Sequence, residues 1–181
     1  MEFIDILDES GFSTGESRPK KEVHEKGLWH RTVHIWIVNS KQELLLQRRS
    51  PTKDSYPNQL DISAAGHVSS GENSMDAAVR ELGEELGISL SSEAFEFLLS
   101  YQNNDSRDLC SLLNKEFVDL YLVTLDFDVN SLTLQKEEVS EVMWMNYTKV
   151  EDRLGDKDYD ILQHPTGDKK LFEVLRQRFP I

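Results

Sequence analysis

The chain has 181 residues, 38% of them hydrophobic and 29% charged, and carries a formal net charge of −13. That length favours one domain, residues 1–181, large enough to bury a core without staples, and the single cysteine, Cys110, excludes an internal disulfide. The acidic balance argues against a binder of polymeric nucleic acid, and the absence of a long apolar run or a basic-then-apolar leader argues against membrane and secretory classes, so the cytoplasm is expected.

In chain order, Phe3–Leu7 reads as a strand that closes at the turn-rich Asp8–Gly15. Glu16–Lys26 is polar, contains Pro19 and reads as a strand edge or loop. His30–Asn39 has Val33, Ile35, Trp36, Ile37 and Val38 apolar on both faces, the pattern of a central strand. Glu43–Arg48 is expected to pair with it across Asn39-Ser40-Lys41-Gln42. Ser50–Gln59, with Pro51 and Pro57, should be loop, and Leu60–Ala65 a short strand leading to Gly66. Ser74–Leu86 reads as a helix with Ser74 as cap, Asp76 in its first turn and Gly87 as stop. Phe95–Gln102, Glu116–Leu125 and Val139–Tyr147 read as strands, and Thr148–Leu154 and Lys169–Arg178 as helices. Strands and helices in this order predict an α/β arrangement, a mixed sheet with helices packed on it.

The decisive segment runs Gly66-His67-Val68-Ser69-Ser70-Gly71-Glu72, then seven residues, then Arg80-Glu81-Leu82-Gly83-Glu84-Glu85-Leu86-Gly87-Ile88. On a helix, Glu81 shares a face with Glu84 and Glu85, about one turn away. Like charges so placed repel by a few tenths of a kcal/mol per pair, and a cation reverses the sign. Mg²⁺ takes carboxylate oxygens and completes its shell with water and substrate phosphate, which also reconciles an acidic chain with an anionic substrate. Arg80 has the donor fork to clamp Glu72 or Glu84 and so tie the loop to the helix. Gly66 and Gly71 suit a tight loop in which a backbone carbonyl reaches the metal. A bare Glu-x-x-Glu-Glu is usually a solvated face. Seven fixed residues at average usage arise by chance only about once in 10⁸–10⁹ positions.

These residues match the Nudix box, G-x5-E-x7-R-E-U-x-E-E-x-G-U with U aliphatic, at every defined place. The chain is therefore identified as similar to the Nudix hydrolases. The resemblance implies an α/β/α sandwich with a mixed sheet and a catalytic loop–helix–loop over residues 66–88. It also implies Mg²⁺ or Mn²⁺ on Glu81, Glu84 and Glu85, with the Gly66 carbonyl as a further ligand. The implied reaction is cleavage of a diphosphate linkage in a nucleoside diphosphate derivative or related small phosphorylated metabolite. Arg80 and Glu81 are candidate catalytic residues. The base that takes the water's proton is either Glu81 or a later acid among Glu137, Glu138 and Glu141, of which Glu138 is favoured. Arg48, Arg49 and Lys53 are candidates for outer phosphates, and Tyr101, Phe117, Tyr121 and Trp144 for stacking on a base, with solvated strand ends and core packing as the plainer readings.

Beyond the box, His30–Asn39, Leu44–Arg49 and Lys53…Pro57 resemble the isopentenyl-diphosphate isomerase branch. There, histidines and glutamates bind a metal beside a catalytic cysteine and glutamate. His24, His30 and His67 fall near those histidines and Glu116 near one of the glutamates; the alternative reading is ordinary polar residues. The isomerase cysteine corresponds to Ala65, which has no proton to give, and the complete box favours hydrolysis. Isomerase-like activity and a non-catalytic Nudix-fold binding module are the alternatives. The substrate's identity is not encoded, nor is the oligomeric state, a homodimer being one arrangement.

Overall fold

The computed structural model describes residues 2–53, 55–105, 114–154 and 161–180; Cys110 lies outside them. Within the described residues, nine strands and four α-helices follow in the order β1 (Phe3–Leu7), β2 (Ser13–Pro19), α1 (Lys20–Lys26), β3 (His30–Val38), β4 (Glu43–Arg49), β5 (Leu60–Asp61), β6 (Ala64–His67), α2 (Ser74–Leu86), β7 (Phe95–Asp105), β8 (Asn114–Thr124), β9 (Val139–Asn146), α3 (Tyr147–Leu154) and α4 (Pro165–Arg178). β1 and β2 form a hairpin, and the remaining strands form one mixed sheet.

β3 is the central strand that its two-sided apolar pattern predicts. It runs parallel to β8 from His30↔Glu116 to Val38↔Thr124 and antiparallel to β6 from Thr32↔His67 to Ile35↔Ala64. Its odd residues Val33, Ile35 and Ile37 pack with Ala77, Ala78, Leu82 and Leu86 of α2. Its even residues Trp36 and Val38 pack with Leu171, Phe172 and Leu175 of α4. Helices thus cover both faces, as the α/β/α expectation requires. The four α2 residues are fully buried. Each leucine there contributes about 1.5–3 kcal/mol of burial, which is what fixes the carboxylate helix against the sheet.

Three sequence expectations are corrected. Glu16–Lys26 is neither all strand edge nor loop, since Pro19 ends β2 and Lys20–Lys26 is helical. Proline at the N-terminal boundary of a helix costs nothing there, because that N–H has no intrahelical partner. Asn73, not Ser74, caps α2, its side chain accepting from Asp76 N at 2.9 Å. Ser74 is instead bonded to the Tyr121 hydroxyl. β4 meets β3 only at Val38↔Leu44 and pairs along its length with β9.

That last correction creates the cavity. Beyond Val38 and Leu44 the two strands part, and Ser63 bridges the gap by donating to Leu45 O and accepting from Ile37 N, at 2.7 and 2.8 Å. β6 stays with β3 and β5 with β4. A cleft of about 1900 Å³ occupies this wedge, with Gly66, Glu81 and Glu85 on one wall and Arg49, Asp61 and His164 on another. No helix among the described residues is long and apolar enough to cross a membrane.

Candidate active site

The box residues are held by one arginine. Arg80 forks onto Glu72, Nε to Oε1 and Nη2 to Oε2, both at 2.9 Å. Its Nη1 donates to Glu81 Oε1 at 2.7 Å and Glu84 Oε2 at 3.1 Å, and its Nη2 also reaches the His67 carbonyl at 2.9 Å. The expected alternatives for Arg80, Glu72 or Glu84, are therefore both realised. Glu72 also accepts from Ser69 N. The loop is fastened from outside by Asp5 of β1, which accepts from Ser70 Oγ at 2.6 Å and Gly71 N at 3.0 Å. Gly71, at φ +78°, supplies the turn. Gly66 lies in β6 rather than in a tight loop, and it meets a need that the sequence does not mark: a Cβ there would sit 1.9 Å from Glu81 Cδ. Only glycine lets the Glu81 carboxylate rest against the strand.

The three box glutamates differ in setting. Glu84 is exposed, Glu81 half-buried and Glu85 only 5% exposed. Burial, joined by the neighbouring Glu81 charge, pushes Glu85 up to about 8. Burial likewise raises Glu81 despite Arg80. Among the described residues the Glu85 carboxylate has only long contacts, to Gln47 Nε2 and Ala65 N at 3.4 Å each. Two desolvated acids on adjacent turns beside a carbonyl-bearing strand fit a hard divalent cation, whose charge supplies the stabilisation that the protein groups do not.

Other candidate residues divide. Glu137 and Glu138 line the cleft, and Glu138 is ion-paired with Lys53, which also lines it. Glu141 instead pairs with Arg48 at 3.2 Å, and neither is among the cleft-lining residues. Arg49 lines the cleft with its guanidinium engaged by the Ser55 carbonyl and by Asp61 at 3.2 Å. Of the four aromatics considered for stacking, none lines the cleft: Phe117 packs on Trp29, Tyr121 on Phe95, Trp144 on Phe127 and Tyr101 edge-on to His34. Among the described residues Tyr56 is the aromatic on the cleft wall.

The three histidines do converge. Their ligand-capable atoms lie within 4.8 Å of one another. His24 comes from α1, His30 from β3 and His67 from β6. His24 Nε2 is 3.0 Å from His67 Nε2, and its Nδ1 is 3.0 Å from Asn114 Oδ1. His30 Nδ1 is 2.9 Å from Leu28 O. Only a protonated Nδ1 can donate to that carbonyl, so in the neutral ring Nε2 carries the lone pair. That atom is fully buried with no hydrogen-bond partner among the described residues, 3.8 Å from Glu116 Oε1. Burial lowers all three histidines below their usual range.

Lys20, Asp61 and His164 also line the cleft, and the sequence did not mark them. Lys20 sits in α1, which the sequence pattern did not mark. Asp61 and His164 meet across a long stretch of chain, Nε2 to Oδ1 at 2.9 Å, and nothing local marks either.

A helix bearing box carboxylates against a mixed sheet with helices on both faces is the Nudix architecture. The comparisons agree: the NUDIX domain model matches residues 28–164, and the chain belongs to that family. It is 45% identical over 98% of its length to Nudix hydrolase 3 of Arabidopsis thaliana, of which it spans 24%. It is 35% identical to an uncharacterized Nudix hydrolase of Listeria monocytogenes over 83% of each chain. The crystal structure of DR0079 from Deinococcus radiodurans superposes with a TM-score of 0.71 at 24% identity, covering 97% of this chain and 98% of that one. Its curated relatives are named Nudix hydrolases, a family that generally uses divalent metal ions.

Proposed function

We propose that the chain hydrolyses a diphosphate linkage in a nucleoside diphosphate derivative or a related small phosphorylated metabolite. The observation that carries this reading is the Glu85 carboxylate, buried beside Glu81 with no cationic hydrogen-bond donor among the described residues, where Gly66 leaves room for Glu81 alone. Glu81, Glu84, Glu85 and the Gly66 carbonyl would hold Mg²⁺ or Mn²⁺. The ion, when bound, supplies neutralisation of phosphate oxygens and a water of lowered pKa. Arg80 fixes the acids' rotamers through Glu72, Glu81 and Glu84. Glu81 or Glu138 takes the proton of the attacking water; Glu138 is freed for this when Lys53 transfers its ion pair to an incoming phosphate. Arg49 and Lys53 face the phosphates, whereas Arg48 serves the β4–β9 edge.

The histidine trio supports a second metal site in the same cleft, as the isomerase-branch resemblance implies. The favouring observation is the orphaned His30 Nε2 in a trio whose ligand-capable atoms lie within 4.8 Å of one another. Isomerisation itself lacks a proton donor, because Ala65 stands at the cysteine position.

The test is incubation with Mg²⁺ and a panel of nucleoside di- and triphosphates, nucleotide sugars, dinucleotides, coenzyme A and prenyl diphosphates, beside Glu85→Gln, with products identified by mass spectrometry. Metal-dependent cleavage lost in the variant is the expected result. Binding without turnover would favour the non-catalytic module, and an isomerised prenyl diphosphate would overturn the argument from Ala65.

A further inference from the structure

Asp61 is buried between two basic side chains, one on each oxygen. Oδ2 accepts from Arg49 Nη1 at 3.2 Å and Oδ1 from His164 Nε2 at 2.9 Å. An ionised carboxylate only accepts, so Nε2 of His164 carries a hydrogen and Nδ1 is the atom left over. Nδ1 makes no hydrogen bond among the described residues. It is nevertheless absent from the buried unpaired side-chain atoms there, which are His30 Nε2, Thr32 Oγ1 and Asp168 Oδ1. Nδ1 therefore has exposed surface, and the side chain, 19% exposed, lines the cleft.

The ring is fixed before any ligand arrives. His164 N donates to Asp168 Oδ2 at 2.7 Å and its carbonyl accepts from Asp168 N at 2.8 Å, which ties it to the first turn of α4. The His34 ring stands edge-on to it, with centroids 4.5 Å apart. Two short paths lead from His164 to Glu85. Asp61 is the cross-strand partner of Gln47, whose Nε2 is 3.4 Å from Glu85 Oε2. His34 is the cross-strand partner of Ala65, whose N is 3.4 Å from the same oxygen. His164 thus stands across the cleft from the carboxylate helix, with two residues between along either path. Its charge follows its neighbours. Burial opposes a proton on the ring, but the Asp61 bond and charge, with Asp168 of α4 and Glu116 of β8 beyond, outweigh it and raise His164 above its usual range. Burial and the His164 charge push His34 down to about 3, so that ring stays neutral. Arg49 of β4 meets Asp61, and Tyr101 of β7 faces His34.

We propose that His164 donates from Nδ1 to a phosphate oxygen of the substrate, with Asp61 as its positioning residue. One buried carboxylate would then aim two cations, Arg49 and His164, at the phosphates from the wall opposite Glu81 and Glu85. That these phosphates belong to a diphosphate that is cleaved rests on the hydrolase reading; the contact itself does not.

The experiment uses methylenediphosphonate, a diphosphate analogue that cannot be hydrolysed, in Mg²⁺. Protein labelled with ¹⁵N in histidine is titrated by NMR with and without the analogue, and His164→Gln, which keeps a donor for Asp61, identifies the His164 signals. Calorimetry measures affinity for both proteins at about pH 6 and about pH 8.5. The analogue should raise the His164 pKa by about one pH unit and, by reciprocity, bind about tenfold more tightly when the ring is protonated. The ratio of wild-type to His164→Gln affinity, which cancels the analogue's own titration, should therefore fall about tenfold between the two pH values. A His164 signal unmoved by the analogue, or a ratio independent of pH, would overturn the proposal. Should the variant not fold, the wild-type titration still decides, because His164 is the one histidine of the five raised rather than lowered. Failure to cleave any diphosphate, with the shift present, would remove the hydrolase reading alone; cleavage without the shift would remove this contact alone.

Discussion

The two ends of the cleft are built in opposite ways. Glu81, Glu84 and Glu85 lie within five residues of one helix, and a single arginine holds the first two. The histidine end draws His24, His30 and His67 from a helix and two strands, and continues through His34 to His164 on the far side of the sheet. The first is a local device whose geometry follows from helical spacing once the apolar side of α2 docks. The second exists only when the whole sheet has formed. Perturbing the sheet therefore damages the histidine end first, whereas perturbing side chains at the helix damages chemistry with little effect on the fold.

The largest expected effect lies at the assembled end. Asp61 is held at about 2, burial being outweighed by His164 and Arg49; His164 is raised above its usual value, its burial being outweighed by the Asp61 bond and charge. The Asp61 contribution is present above its unfolded value near 4 and is lost as pH falls toward 2; the His164 contribution is present below about 6.5 and is lost as pH rises through its folded value. Asp61→Asn should therefore cost about 3–5 kcal/mol between pH 4 and 6.5 and less outside that window, read by denaturant unfolding across pH. A pH-independent loss would show that the pair acts through packing alone.

At the local end, Gly66→Ala should fold normally, because the clash is with the far end of the Glu81 side chain, yet lose about 10²-fold in metal-dependent cleavage as that carboxylate is displaced. Wild-type turnover in this variant would remove Glu81 from the site. Arg80→Lys keeps the charge and loses the fork, and should lower kcat about tenfold. His30→Gln should abolish Co²⁺ binding at the histidine end, seen by absorption spectroscopy, with Mg²⁺-dependent cleavage within about threefold of wild type, because substitutions at separate sites with no shared partners act independently. Loss of both activities together would mean the two ends share one metal cluster.

Legibility in the sequence followed the same division. The box helix, the central strand and the Arg80 clamp were readable because each is written in spacing along one segment. The missed helix Lys20–Lys26 is short and polar, with Val23 as its buried residue, so periodicity had nothing to register. The β4–β9 pairing could not be inferred because adjacency in sequence favours the β3–β4 hairpin, and it is the departure from that hairpin that opens the cleft. Asp61 and His164 are invisible for a related reason: their partnership spans most of the chain.

The central claim is that Glu81 and Glu85 form a cation site. It is tested most directly by thermal unfolding of wild type and Glu85→Gln at pH 8, in EDTA and in Mg²⁺. Because burial raises Glu85 to about 8, its ionisation costs stability as pH rises from about 4.5 toward that value. The metal-free variant should thus be more stable than wild type by about 1–3 kcal/mol, the scale of an unpaired buried polar group. Mg²⁺ should raise the wild-type Tm and leave the variant nearly unmoved, reversing or closing the gap. A wild type indifferent to Mg²⁺, or a variant that gains as much from it, would contradict the account.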